Sequence, residues 1–167
     1  MHKLTIAVIL LGLILCRSAG AETSAAMMVA AKFTDISFLT DGGKKIKLVD
    51  VIRGFPAVVN FTTPWCMDCK HLAEALRKIA PGYLPQNVRF YNIYLGVKQK
   101  YVGRLQKGDK QVAGATMLLD PDRSGSQTMG VSGIPHVFVF DAAGKLNYEK
   151  LFPKEKELKK AIDKVVR

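Results

Sequence analysis

The period of apolar and polar positions changes several times along this 167-residue chain. Residues 57–61, Ala57-Val58-Val59-Asn60-Phe61, form an apolar run that reads as a buried strand opened by Pro56, and Val137-Phe138-Val139-Phe140 forms another. From residue 67 to 80, Leu72, Ala73, Leu76 and Ile79 recur at helical spacing, with Pro81-Gly82 as the expected stop. Residues 88–95 alternate, with Val88, Phe90, Asn92 and Tyr94 on one side and Tyr91, Ile93 and Leu95 on the other. Apolar groups on both sides predict a strand covered on both faces.

Shorter signals fill the intervals. Residues 33–39 and 45–48 alternate around Asp41-Gly42-Gly43, which predicts a β-hairpin. A polar helix is expected over 97–106 and a short strand over 116–119. Asp120-Pro121-Asp122 offers a cap for a helix running to Met129. Asp141-Ala142-Ala143-Gly144 turns the chain into residues 145–151, and 154–166 closes as an amphipathic helix. Strands alternating with helices predict an α/β fold, a central sheet with helices on both faces.

The first 32 residues differ in kind. A basic start (Met1-His2-Lys3), an apolar stretch over 4–15 and Ala19-Gly20-Ala21 read as a secretory signal peptide over 1–21, cleaved after Ala21. The apolar stretch falls short of the roughly 20 residues that a spanning helix needs. Retention as a membrane anchor and lipidation of Cys16 are the alternatives. Residues 22–32 form a small-residue entry segment, and 33–167 is long enough for one domain with its own core. An exported product, in a bacterium a periplasmic one, is the expectation.

Charge narrows the partners. The chain carries +11, and +9 without residues 1–21, which hold Lys3 and Arg17. The lysines are densest at 154–164, where their sign alternates with Glu155 and Glu157 as on a solvated helix face. No basic motif interleaved with aromatics appears, so nucleic acid is not an expected partner.

The chemistry lies in Trp65-Cys66-Met67-Asp68-Cys69-Lys70. A Cys-x-x-Cys pair between a buried strand and a helix puts the first thiol at a helix N-terminus, where unsatisfied N–H groups favour the thiolate. The second lies one turn on and can attack a mixed disulfide formed by the first. The only other cysteine of the three is Cys16, so the second half of a four-cysteine zinc site is missing. Asp68 opposes a thiolate while Lys70 and the helix end favour it, so the motif alone sets no redox potential.

Val58-Val59-Asn60-Phe61, Trp65-Cys66-x-x-Cys69-Lys70, Leu118-Leu119-Asp120-Pro121-Asp122 and Gly130-Val131-Ser132-Gly133-Ile134-Pro135 occur in the order in which the thioredoxin superfamily carries them. The chain resembles in particular its exported TlpA/ResA-like thiol–disulfide oxidoreductases. The resemblance implies a thioredoxin-like fold with a central mixed sheet and an N-terminal hairpin. It also implies Cys66 as nucleophile, Cys69 as resolving thiol, Trp65 shielding the pair, and Pro135 as a cis-proline. The backbone of Ile134 would then pair with a bound substrate strand. Asn60 stands where thioredoxins carry a buried Asp; an amide cannot act as a base, so a buried hydrogen-bonding role is expected. His136 and His71 are expected on the surface or in packing.

By the same resemblance the partners are client proteins with cysteine thiols or disulfides, and a membrane thiol electron donor. A monomer without cofactor is expected, acting as a reductant in cytochrome c maturation or redox homeostasis. A disulfide-forming oxidase or isomerase remains open, as does a copper-handling chaperone using Cys66, Cys69, His71 and His136 as soft ligands.

Overall fold

The computed structural model describes residues 33, 35–108, 112 and 114–166. The proposed signal peptide, Cys16 and the whole of the entry segment lie outside them. Seven strands form one mixed sheet: β1 (Ser37–Thr40), β2 (Lys45–Lys47), β3 (Ala57–Thr62), β4 (Arg89–Leu95), β5 (Ala115–Asp120), β6 (His136–Phe140) and β7 (Leu146–Leu151). Their order is β2-β1-β5-β4-β3-β6-β7. The β3–β4 and β4–β5 pairs are parallel; the others are antiparallel. The helices are α1 (Leu48–Ile52), α2 (Met67–Tyr83), α3 (Val102–Gly108), α4 (Ser124–Thr128) and α5 (Glu155–Val165).

Side-chain alternation divides the core into two layers, as a sheet with both faces covered requires. Val59, Phe61, Ile93, Phe138 and Phe140 pack with the hairpin residue Phe38 and with Leu48, Val51 and Ile52 of α1. Phe61 meets Phe38 and Phe138 edge-on, with ring centroids 6.0 and 5.6 Å away. On the other face Val58, Phe90, Val137 and Val139 pack against Leu72, Leu76 and Ile79 of α2 and Leu158 and Ile162 of α5. A third cluster seats Val102 and Leu105 of α3 on Tyr94, Met117 and Leu119. The mixed sheet and hairpin match the expectation, with three differences.

Helix α2 runs through Pro81 to Tyr83, past its expected stop. Proline removes one N–H near the helix end, but Tyr83 is buried and its hydroxyl donates to Asp163 Oδ1 of α5 at 2.7 Å. Burial and that carboxylate push the phenol up to about 12, so it remains a donor. Expected over 97–106, the polar helix begins as a 3-10 turn at Gln99 and becomes α-helical at Val102. Gly96, at φ 68°, makes the reversal out of β4. Finally, the second hairpin strand ends at Lys47, one residue early, and α1 follows from Leu48 to Ile52, where no element is expected. The Asp120 and Asp122 carboxylates do cap α4: Asp122 Oδ1 accepts from the Ser124 amide, and Asp120 accepts from the amides of Gly125 and Ser126.

Gly125 is where α4 touches the hairpin. A Cβ there would sit on the edge of the Phe38 ring, 3.0 Å from Cζ and closer still to Cε1. Gly125→Ala is therefore expected to destabilise the fold by about 1–3 kcal/mol through overpacking. Urea denaturation checks it; an unchanged midpoint would mean that this contact yields freely.

Candidate active site at the start of helix α2

Strand β3 is buried along its length, between β4 and β6, and the chain leaves it through Thr63, Pro64 and Trp65. Cys66 is the residue that caps α2: its backbone is extended and the Cys69 amide N–H points at its Sγ across 3.1 Å. This is the N-cap geometry of a Ser or Asp, with sulfur as the acceptor. It also directs the helix dipole onto that atom. Cys66 and Cys69 are joined as a disulfide, with Cα atoms 5.2 Å apart. The two are unequal in access: Cys66 is half-buried, whereas Cys69 is 2% exposed beneath it.

The loop before β6 closes one side. The Ile134–Pro135 peptide bond is cis, and the Ile134 carbonyl oxygen lies 4.0 Å from Cys66 Sγ. A disulfide sulfur has no hydrogen to donate, so this is a contact between the cysteine and the loop backbone. Trp65 is 66% exposed and stands between two grooves. One, of about 250 Å³, is lined by Ile134, Gly133, Val131 and Leu95; the other, of about 560 Å³, lies toward α3. The structure thus brings Cys66, Cys69, Trp65, Ile134 and Pro135 to one place.

Behind Cys69 the sheet is polar. Asn60 is 2% exposed and its Nδ2 donates to Asn92 Oδ1 on the neighbouring strand at 3.0 Å, the two being register partners. The buried hydrogen-bonding role expected for Asn60 is met. Its partner was not legible, because pairing register is absent from the sequence pattern. A cavity of about 20 Å³, lined by Asn60, Thr63, Asn92, Lys70 and Cys69, adjoins the pair. It has the size of one water molecule. Asn60 Oδ1 and Thr63 Oγ1 are buried without a protein partner.

His136 does not join the cysteines. It is 4% exposed, lies on Phe138 with ring centroids 4.6 Å apart, and its Nε2 is 3.3 Å from Glu149 Oε1. Burial lowers its basicity, against the opposing pull of Glu149. It belongs to the Phe138 face of the sheet, opposite α2, while His71 is exposed on α2. Among the described residues no three of His, Cys, Asp and Glu stand close enough to share a metal ion.

The neutral amide pair yields a test. A carboxyl in place of Asn60 would be buried beside Asn92, with the exposed Lys70 as the cation lining the cavity. Desolvation should raise its pKa above the unfolded value of about 3.9, so the folded chain would hold the proton more tightly. Asn60→Asp should then match the wild type near pH 4 and lose about 2 kcal/mol by pH 8. Denaturation midpoints across that range check it, and a gap independent of pH would contradict it.

Comparisons with known proteins agree with this geometry. Residues 29–149 match the AhpC/TSA family. A curated relative, thiol:disulfide interchange protein DsbE of Allochromatium vinosum, is 27% identical over 105 residues, which are 62% of this chain and 55% of the relative. The chain thus spans about half the length of that protein. A thioredoxin-like protein from Porphyromonas gingivalis superposes with TM-score 0.66 at 23% identity, covering 81% of this chain and 92% of that one. A secreted Mycobacterium tuberculosis disulfide oxidoreductase gives 0.62 at 22% identity, over 80% and 98%. The thioredoxin-like fold expected from the motifs is thereby established, and with the greater part of its length matched, this chain belongs to the AhpC/TSA family.

Proposed function

We propose that this protein is an exported thiol–disulfide oxidoreductase that exchanges Cys66 and Cys69 with cysteines of client proteins, acting as a reductant. The observation that carries the reading is the asymmetry of the pair. Cys66 has access to solvent and an amide N–H aimed at its sulfur, and Cys69 is buried one turn below. A nucleophile needs the first environment and a resolving thiol the second.

In the reduced protein the Cys66 thiolate attacks one sulfur of a client disulfide. A Cys66–client disulfide forms, and the client's other sulfur leaves as a thiolate. Cys69 then gives up its proton and attacks Cys66 Sγ. The intramolecular disulfide forms and the second client thiolate leaves. Two electrons have passed to the client, and a thiol donor must return two to Cys66–Cys69. The Ile134 backbone, next to Cys66 Sγ, is suited to hold the client strand during attack.

A reductant is favoured by the resemblance to the TlpA/ResA-like branch, and export by the apolar segment over 4–15 followed by Ala19-Gly20-Ala21. Among the described residues no helix is long and apolar enough to cross a membrane. The secreted Mycobacterium tuberculosis neighbour is in keeping with that placement.

Reactivity tests the roles. In the reduced protein Cys66 should be alkylated first. Cys66→Ala should abolish reduction of a protein disulfide, and Cys69→Ala should accumulate mixed disulfides with clients. Faster alkylation of Cys69 would reverse the assignment. A reduction potential close to the roughly −270 mV of thioredoxin supports the reductant, and one near −120 mV the oxidase.

Export has its own readout. Intact mass of the native protein should place the mature N-terminus at Glu22. A lipid on Cys16, or an uncleaved chain, would replace the soluble form by an anchored one.

A further inference from the structure

The groove between Trp65 and α3 plays no part in the exchange steps above. It runs along Pro64, Trp65 and Val97 to Tyr101 and Leu105, with Lys70 and Arg104 on its rim. Two of its aromatics are exposed, Trp65 at 66% and Tyr101 at 42%. Large exposed aromatics beside arginine are the composition of a contact hot spot, and a contiguous apolar patch marks a binding surface. The cations are free to act. Among the described residues no ion pair engages Lys70, Lys98, Lys100 or Arg104. Lys100 and Arg104 lean on the Tyr101 ring instead, 5.2 and 5.9 Å from its centroid. Among the described residues no carboxylate lines the groove. The Asp41 carboxylate accepts from Gln106 Nε2 at 3.3 Å, and its backbone carbonyl accepts from Gln99. Asp68 lies two residues before Lys70 on α2, roughly 200° around the helix from it.

We infer that this groove docks an acidic, amphipathic segment of the client next to its reactive cysteine. Apolar side chains of that segment rest on Trp65, Tyr101 and Leu105, and its carboxylates meet Lys70 and Arg104. The inference rests on the exchange reading, since the groove adjoins Cys66 through Trp65, and it names the client's chemistry. Charge complementarity fixes the sign. A basic segment would face Lys70 and Arg104, with no acid among the described lining residues to receive it. A single-stranded nucleic acid would also find cations and stacking rings, but it brings no sulfur to the cysteine pair.

Trp65 is the only tryptophan of the chain, so its emission reports directly on the groove. The experiment titrates the oxidised protein with redox-inert peptides in which the client cysteine is serine, so that binding is read without exchange. A Glu/Leu/Phe peptide should change the emission saturably and bind about tenfold tighter at low salt than the same peptide with lysines for glutamates. The difference should shrink as salt rises. Lys70→Glu with Arg104→Glu should invert the preference. Equal affinity for the two peptides, no saturable change, or an oligonucleotide binding as tightly as the acidic peptide would each overturn the docking site. Loss of exchange by Cys66 with peptide selectivity intact would overturn the enzymatic reading instead.

Discussion

The amide of Cys69 points at the sulfur of Cys66 across 3.1 Å, and the rest of the molecule is arranged to keep it there. That contact exists only if α2 begins at Met67 and not a residue earlier or later, because only the N-cap position turns its side chain onto the N3 amide. The start of the helix is set by the end of β3. The strand is buried throughout, held by β4 on one edge and β6 on the other, and cannot slide without moving Phe61 out of one core layer and Val58 out of the other. Apolar burial far from the cysteines therefore fixes the electrostatics at one sulfur.

The faces of the sheet divide the remaining work. The aromatic face, with Phe38, Phe61, Phe138 and Phe140 packed around α1, carries the buried His136 against Phe138 and anchors the loop that holds Ile134 against Cys66. The α2 face admits polar groups at two places, the Tyr83 hydroxyl that reaches Asp163 and the site beside Cys69, where Asn60, Asn92 and Thr63 surround the small cavity. Buried amides need partners, and Asn60 donates one bond to Asn92 while its own Oδ1 has no protein partner. A neutral pair avoids the cost of a buried charge, and it also means that no carboxylate stands there to take a proton from Cys69.

How much of this the sequence displayed depended on whether the determining contact is local. Buried strands β3 and β6 and the start of α2 are local: apolar runs and a Cys-x-x-Cys pair at a strand end announce them. The end of α2 is not, because Pro81 carries a stop signal that Tyr83 overrides by reaching Asp163 eighty residues on. Nor is α1, five residues too few to announce a helix, whose Leu48, Val51 and Ile52 find it through the core they enter. Motif order pointed to the cis bond at Pro135 by resemblance, since no residue pattern distinguishes it from an ordinary X-Pro turn. Pairing of Asn60 with Asn92 depends on strand register, and the basic groove joins Trp65 and Lys70 to residues beyond Gly96; neither leaves a mark in any window of sequence.

This separation has a consequence for how client choice and chemistry relate. The Cys66 sulfur is tuned by backbone atoms, the Cys69 amide and the helix end, which no surface substitution removes. The groove sets exposed side chains at its rim, Lys70, Tyr101 and Arg104, over Val97 and Leu105 of the third core cluster. Substitutions at Tyr101 or Arg104 can therefore change which segment docks without disturbing the helix start. Lys70 has a place in both, its amide closing the first turn of α2 on the Cys66 carbonyl at 3.3 Å while its side chain lines the groove. Backbone and side chain of that residue serve the two ends separately, so the link between recognition and reaction runs through a position whose charge can vary while its hydrogen bond stays.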